Sequence, residues 1–197
     1  RSTSAPRSAS TIAAKGAGPM PASSTTASPV NGPLMGWTLD SGGAGGAPLA
    51  AATRRLPEGR DDLMAGRVGE WDPDYLLGGD LWGTTLGIVG MGRIGQAIAR
   101  RAAFGFDMRV LYTSRGPKEL PFPAEKVSLP ELLARADHVV LAAALTPDTR
   151  HMIDAGALAR MRDGATLVNI ARGGLIDHDA LTEEARRGRL RIALDVT

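Results

Sequence analysis

The stretch "TLGIVGMGRIGQAIARR", residues 85–101, places four glycines in and after an apolar run, ahead of a run with helical periodicity. Residues 85–89 are β-prone and almost wholly apolar, which suits a strand buried on both faces. Residues 93–104 repeat apolar side chains at three- and four-residue intervals, which suits a helix. Between them Gly90, Gly92 and Gly95 spell G-x-G-x-x-G. Alone that pattern is weak, and a glycine-rich structural turn would satisfy it. At the join of a strand and a helix it carries a mechanism. The first glycine permits a tight turn, the second lets a pyrophosphate approach the backbone, and the third lets helix and strand pack closely. The amides at the helix N-terminus then face the ligand's negative charge.

Toward the C-terminus the same two signals alternate strictly. The sequence predicts strands at 108–112, near Lys126, at 138–143, at 165–170 and at 190–195, and helices at 130–136, 154–161 and 177–187. Such alternation specifies crossover connections and a parallel sheet covered on both faces. Six strands make an α/β, doubly wound, Rossmann-like sheet. Toward the N-terminus, residues 49–64 read as helical, with Pro57 starting a second segment or kinking the first. The stretch "GEWDPDYLLGGDLWGTT", residues 69–85, supplies turns and scattered apolar anchors.

Residues 1–46 are rich in Ser, Thr, Ala, Gly and Pro, show neither period, and carry no acidic residue before Asp40. They bury too little apolar surface to offset chain entropy, and the expectation is a disordered segment ahead of a folded domain at 47–197. Their composition would also suit an organelle-targeting peptide, although no amphipathic helix is recognisable; the expected location is the cytoplasm.

Composition narrows the function classes. A chain of 197 residues with 43% hydrophobic side chains supports one core. Cysteine is absent, which excludes disulfides and cysteine-ligated metal, and no metal site is expected. The apolar runs fall short of the roughly 20 residues a membrane helix needs. A formal charge of +2 without a Lys/Arg block is no footprint for nucleic acid.

The loop after the second strand selects the dinucleotide. A carboxylate about 20 residues past the glycines binds a ribose 2′-hydroxyl, whereas an arginine there accommodates a 2′-phosphate. The chain reads "LYTSRGPK" at 111–118, with no Asp or Glu until Glu119. Ser114 can hydrogen-bond a phosphate and Arg115 can meet it with a charge-assisted pair. The expectation is NADP(H) in preference to NAD(H); the alternative reading of Arg115 is a solvated loop arginine.

Three longer stretches carry a resemblance. "GTTLGIVGMGRIGQAIARRAAFGFDMRVLYTSR", "AAALTPDTRHMI" and "GATLVNIARGGLIDHDAL" followed by "LDVT" resemble the nucleotide-binding domain of the D-isomer-specific 2-hydroxyacid dehydrogenases, nearest the glyoxylate/hydroxypyruvate reductase branch. The likeness covers about residues 48–197. It implies hydride transfer from a nicotinamide cofactor to a small 2-oxo acid such as glyoxylate or hydroxypyruvate, and a homodimeric full-length parent. The resemblance assigns substrate binding to Arg172, whose planar guanidinium can hold a carboxylate and polarise the neighbouring carbonyl. It places Asp195 on the carboxamide side of the nicotinamide. Further cofactor contacts are implied for Met91, Gly92, Arg93 and Ile94, for Ser114, Arg115 and Gly116, and for Ile170, Ala171 and Arg172. From the residues alone, Arg172 could instead cap a helix or pair with Asp177, and Asp195 could cap whatever follows the last strand.

The departures are equally specific. The family's proton-donating His and the Glu beside it lie beyond the "LDV" segment, and residues 1–46 do not resemble its substrate-binding domain. His138, His151 and His178 sit in no paired-carboxylate motif and read as structural or solvated. The expectation is a fragment that binds dinucleotide with little turnover; the alternative is a non-catalytic dinucleotide-binding module.

Overall fold

The computed structural model describes residues 43–69 and 72–196. The first strand, β1 (Thr85–Val89), is buried along its whole length, as an almost wholly apolar run requires. The strands that follow are β2 (Arg109–Thr113), β3 (Glu125–Lys126), β4 (His138–Leu141), β5 (Thr166–Asn169) and β6 (Arg191–Leu194). They form one sheet in the order β3-β2-β1-β4-β5-β6, and every pairing is parallel. The chain leaves β1 for one side of the sheet and later crosses to the other, so the order reverses between β1 and β4. The doubly wound sheet expected from sequence is the one observed.

Helices cover both faces. Leu86 and Ile88 point into a core shared with α1 (Gly43–Thr53) and α3 (Arg93–Gly105), where Leu49, Ile98, Ala99 and Ala102 are buried. Val89 points the other way, into a core with α4 (Leu129–Arg135), α5 (Ala155–Arg160) and α6 (His178–Arg187). Capping residues start the second group. Ser128, Asp154 and Asp177 each accept a backbone N–H from the first turn of their helix, which satisfies donors the helix leaves free. A left-handed Gly188 ends α6.

The N-terminal boundary differs from expectation. Helix α1 begins at Gly43, inside the segment expected to be irregular, and carries Pro48 in its interior. Buried Leu49 and fully buried Thr53 fix it against the sheet, and that packing outweighs the low helix propensity of glycine and proline. The expectation of disorder for residues 1–42 lies outside the described residues. Pro57 opens a new helix, α2 (Leu56–Met64), after a left-handed Arg55. Of the apolar anchors described between 72 and 84, Leu81 is buried while Leu77 and Trp82 are exposed. No helix among the described residues is long and apolar enough to cross a membrane.

The amino ends of the strands are tied by side chains. Asp137 accepts the Thr85 N–H at 2.9 Å and the Arg162 guanidinium at 2.6 Å. Beside it His138 is buried with neither ring nitrogen hydrogen-bonded, although the backbone at Asp80 comes close. Burial holds its imidazole below the usual histidine range.

Candidate functional site

The register of the sheet brings the sequence-predicted residues to one edge. Val89 pairs with Thr113 on one side and Leu141 on the other, Leu141 pairs with Asn169, and Asn169 with Leu194. The five strands therefore end level, in a row about 19 Å long at the usual strand spacing. Gly90, Ser114, Ala142, Ile170 and Asp195 are the first residues beyond those ends. Ligands of open α/β sheets bind at this carboxyl edge, where the strand order reverses.

At the reversal point the loops touch. Gly90 has φ +103°, a conformation that favours glycine, and a Cβ there would lie 2.6 Å from the Ala143 nitrogen. A Cβ on Gly95 would collide with the Gly90 carbonyl, so this glycine lets α3 sit down on β1. Gly92 is different. It is the exposed N-cap of α3, with no side-chain cap, no acidic residue in the first turn, and nothing within 4 Å of where a Cβ would be. No neighbouring atom among the described residues requires glycine at this position. Free helix amides facing open space without a nearby carboxylate fit a pyrophosphate.

The other members fall into place around it. Arg93 and Ile94 are exposed at the start of α3, while Met91 is buried in the core and can offer a ligand its backbone only. Ile94, residues 142–145 and residues 170–172 line a cleft of about 560 Å³. Its walls are apolar except for Arg172, an exposed residue whose Nη1 donates to the Ala171 carbonyl at 2.6 Å. Asp177 does not pair with it, because its carboxylate caps α6. The Ser114 hydroxyl donates to the Gly116 carbonyl at 2.5 Å. Arg115 is exposed beside it and has no ion-pair partner among the described residues. Asp195 is exposed, with its N–H donating to the Asn169 carbonyl at 2.9 Å. A larger cleft, about 800 Å³, opens at the amino ends of β1 and β2 near Phe104 and Arg135. It faces away from the glycine turn and from every strand exit, so volume does not make it the site.

Residues 47–197 match the family described as "D-isomer specific 2-hydroxyacid dehydrogenase, NAD binding domain". The chain belongs to that family. Its relatives include a glyoxylate reductase of Thermococcus onnurineus, 48% identical over 161 residues, covering 78% of this chain and 45% of the relative. The human protein named glyoxylate reductase/hydroxypyruvate reductase is 42% identical over 154 residues, covering 76% of this chain and 47% of its own. Among solved structures, the TT0316 protein of Thermus thermophilus superposes with a TM-score of 0.72 at 50% identity, covering 77% of this chain and 48% of that one. The chain thus spans about half the length of the relatives it matches. Membership as the NAD-binding domain of this oxidoreductase family supports a nicotinamide dinucleotide as its cofactor.

Motif reading does not single out Asn169, which the structure places at the end of β5, between the exits of β4 and β6. It is fully buried. Its Nδ2 donates to the Arg172 carbonyl at 2.9 Å, its Oδ1 accepts the Ala171 N–H at 3.0 Å, and its own carbonyl accepts from Asp195. The sequence signal was an amide closing the buried strand "TLVN". None of the three histidines lines the cleft.

Proposed function

We propose that the full-length parent transfers hydride from NADPH to a small 2-oxo acid of the glyoxylate or hydroxypyruvate type, and that residues 1–197 hold the dinucleotide with little turnover of their own. The observation that carries this reading is the level row of strand ends, with Gly92 open to solvent at its centre and Arg172 on the lip of the cleft.

The α3 amides after Gly92 receive the pyrophosphate. Ser114 and Arg115 receive the 2′-phosphate, the hydroxyl turning from the Gly116 carbonyl to do so. Asp195 would accept a hydrogen bond from the carboxamide. When bound, the reduced nicotinamide supplies the hydride. Arg172 leaves the Ala171 carbonyl to grip the substrate carboxylate in a planar fork, aligning the 2-oxo carbonyl and drawing charge toward its oxygen. Ile94, Leu145 and Ile170 give the cleft apolar walls around this contact. Reduction also needs a proton at the carbonyl oxygen, and no carboxylic acid or histidine lines the described cleft.

The partner proposed for the parent is a second copy. Helix α2 buries none of its residues against the domain, and its Leu63 and Met64 are 66% and 74% exposed, an apolar surface that a partner would cover. The proposed compartment is the cytoplasm. Titration with NADPH and NADH, followed by nucleotide fluorescence, tests the cofactor reading: saturable binding of both, tighter for NADPH, is expected, and no binding of either would contradict it.

A further inference from the structure

We infer that Asn169 is a positioning residue for Arg172, holding the turn from which its guanidinium reaches substrate. The inference rests on the reading of Arg172 as the carboxylate-binding group. Asn169 is the last residue of β5, paired with Leu141 and Leu194, so its backbone is fixed from both sides. Its side chain has no solvent exposure, yet both of its polar atoms are used within the next three residues. Oδ1 takes the Ala171 N–H, and Nδ2 reaches the Arg172 carbonyl. The first bond closes an Asx turn, which Asp or Ser could also make. The second needs a separate donor atom on the same side chain, which an amide supplies; a carboxylate has no proton to give, and a serine has one oxygen on a shorter side chain for both contacts.

The Arg172 guanidinium rests on the Ala171 carbonyl at 2.6 Å, and the N–H of Ala171 is held by Asn169. The backbone of Arg172 is extended, with φ −152° and ψ 140°, and its carbonyl is held by the same amide. One buried side chain therefore fixes both the resting contact of the guanidinium and the Cα from which it swings into the cleft. The Asn169 carbonyl also accepts from Asp195, so the proposed substrate and carboxamide contacts share one anchor. A misplacement of about 1 Å at such a group can cost roughly 100-fold in function.

The test is binding of oxamate, an unreactive 2-oxo acid mimic, to the chain saturated with NADPH. It compares the unsubstituted chain with Asn169→Ser, Asn169→Asp and Arg172→Leu, alongside NADPH affinity and thermal midpoint for each. Asn169→Ser should weaken oxamate at least tenfold while NADPH affinity changes less than threefold. Asn169→Asp should lose oxamate at neutral pH and recover part of it as pH falls, because a protonated carboxyl can again donate to the Arg172 carbonyl. Should Asn169→Ser fail to fold, the pH recovery in Asn169→Asp decides. Unchanged oxamate binding in the folded Asn169 variants, with Arg172→Leu impaired, overturns the positioning role and leaves the Arg172 reading standing. Equal loss of oxamate and NADPH, or no recovery with pH, makes Asn169 merely structural and overturns the inference. An unimpaired Arg172→Leu, or no oxamate binding by the unsubstituted chain, removes the Arg172 reading and the inference with it.

Discussion

Gly90 and Ala143 touch backbone to backbone: a Cβ built on Gly90 would lie 2.6 Å from the Ala143 nitrogen. The exits of β1 and β4 are thereby pressed together where the strand order reverses, and the glycines of the turn divide into two kinds. Gly90→Ala combines a left-handed φ with a backbone clash and should cost about 3 kcal/mol of stability. Gly92→Ala meets open space and should cost at most about 1 kcal/mol. In dinucleotide titration, Gly92→Ala should bind at least tenfold more weakly although its melting temperature stays within about 4 °C of the parent chain's. Normal dinucleotide affinity in Gly92→Ala would mean that the ligand does not approach this backbone.

Cofactor choice should follow Arg115. Replacing it with Asp exchanges a phosphate partner for a hydroxyl acceptor, so NADPH should weaken by about 1.5 to 3 kcal/mol and NADH should become the tighter ligand. Equal affinities for the two nucleotides in the unsubstituted chain would sink this assignment.

Much of this was legible in the sequence because each signal is local and periodic. The apolar runs gave the strands and the glycine spacing gave the turn, whereas the side-chain caps at Ser128, Asp154 and Asp177 emerge from the structure. What the sequence concealed depends on tertiary contact. Helix α1 starts among glycines because Leu49 and Thr53 are buried against the sheet. The 3-10 turn at Gly173–Leu175 begins at the Arg172 carbonyl that Asn169 also holds, and the row of strand ends needs the register of five strands, which no single segment encodes.

Acidification should destabilise the domain through His138. Burial lowers its folded pKa, so below the unfolded value of about 6.5 the unfolded chain takes up a proton that the folded chain resists. Stability tied to this group is intact above that pH and is lost as pH falls toward the folded value. His138→Leu removes the imidazole and both unpartnered nitrogens, so denaturant midpoints between pH 7 and pH 5 should change less than in the parent chain. An identical pH slope in the variant would assign the effect elsewhere.

Arg189 should matter more than its place just outside a strand suggests. It binds the buried Glu184, with its Nη2 at 2.7 Å, and donates to the Leu158 and Met161 carbonyls at the end of α5. Arg189→Ala leaves a buried carboxylate with only Arg187 nearby and should cost about 3 kcal/mol, a fall of roughly 6 to 12 °C in melting temperature. A loss below about 1 kcal/mol would place this cluster among ordinary surface pairs.

These 197 residues are proposed to hold a reduced dinucleotide without using it at an enzyme's rate. The most direct measurement takes one preparation, records NADPH binding by fluorescence, and then follows NADPH oxidation with glyoxylate or hydroxypyruvate at saturating cofactor. Saturable binding with turnover at least 100-fold below ordinary enzyme rates of about 10 s⁻¹ is the predicted result, since the described cleft offers no positioned acid. Turnover near that ordinary rate would contradict the account and require a proton donor outside the described cleft.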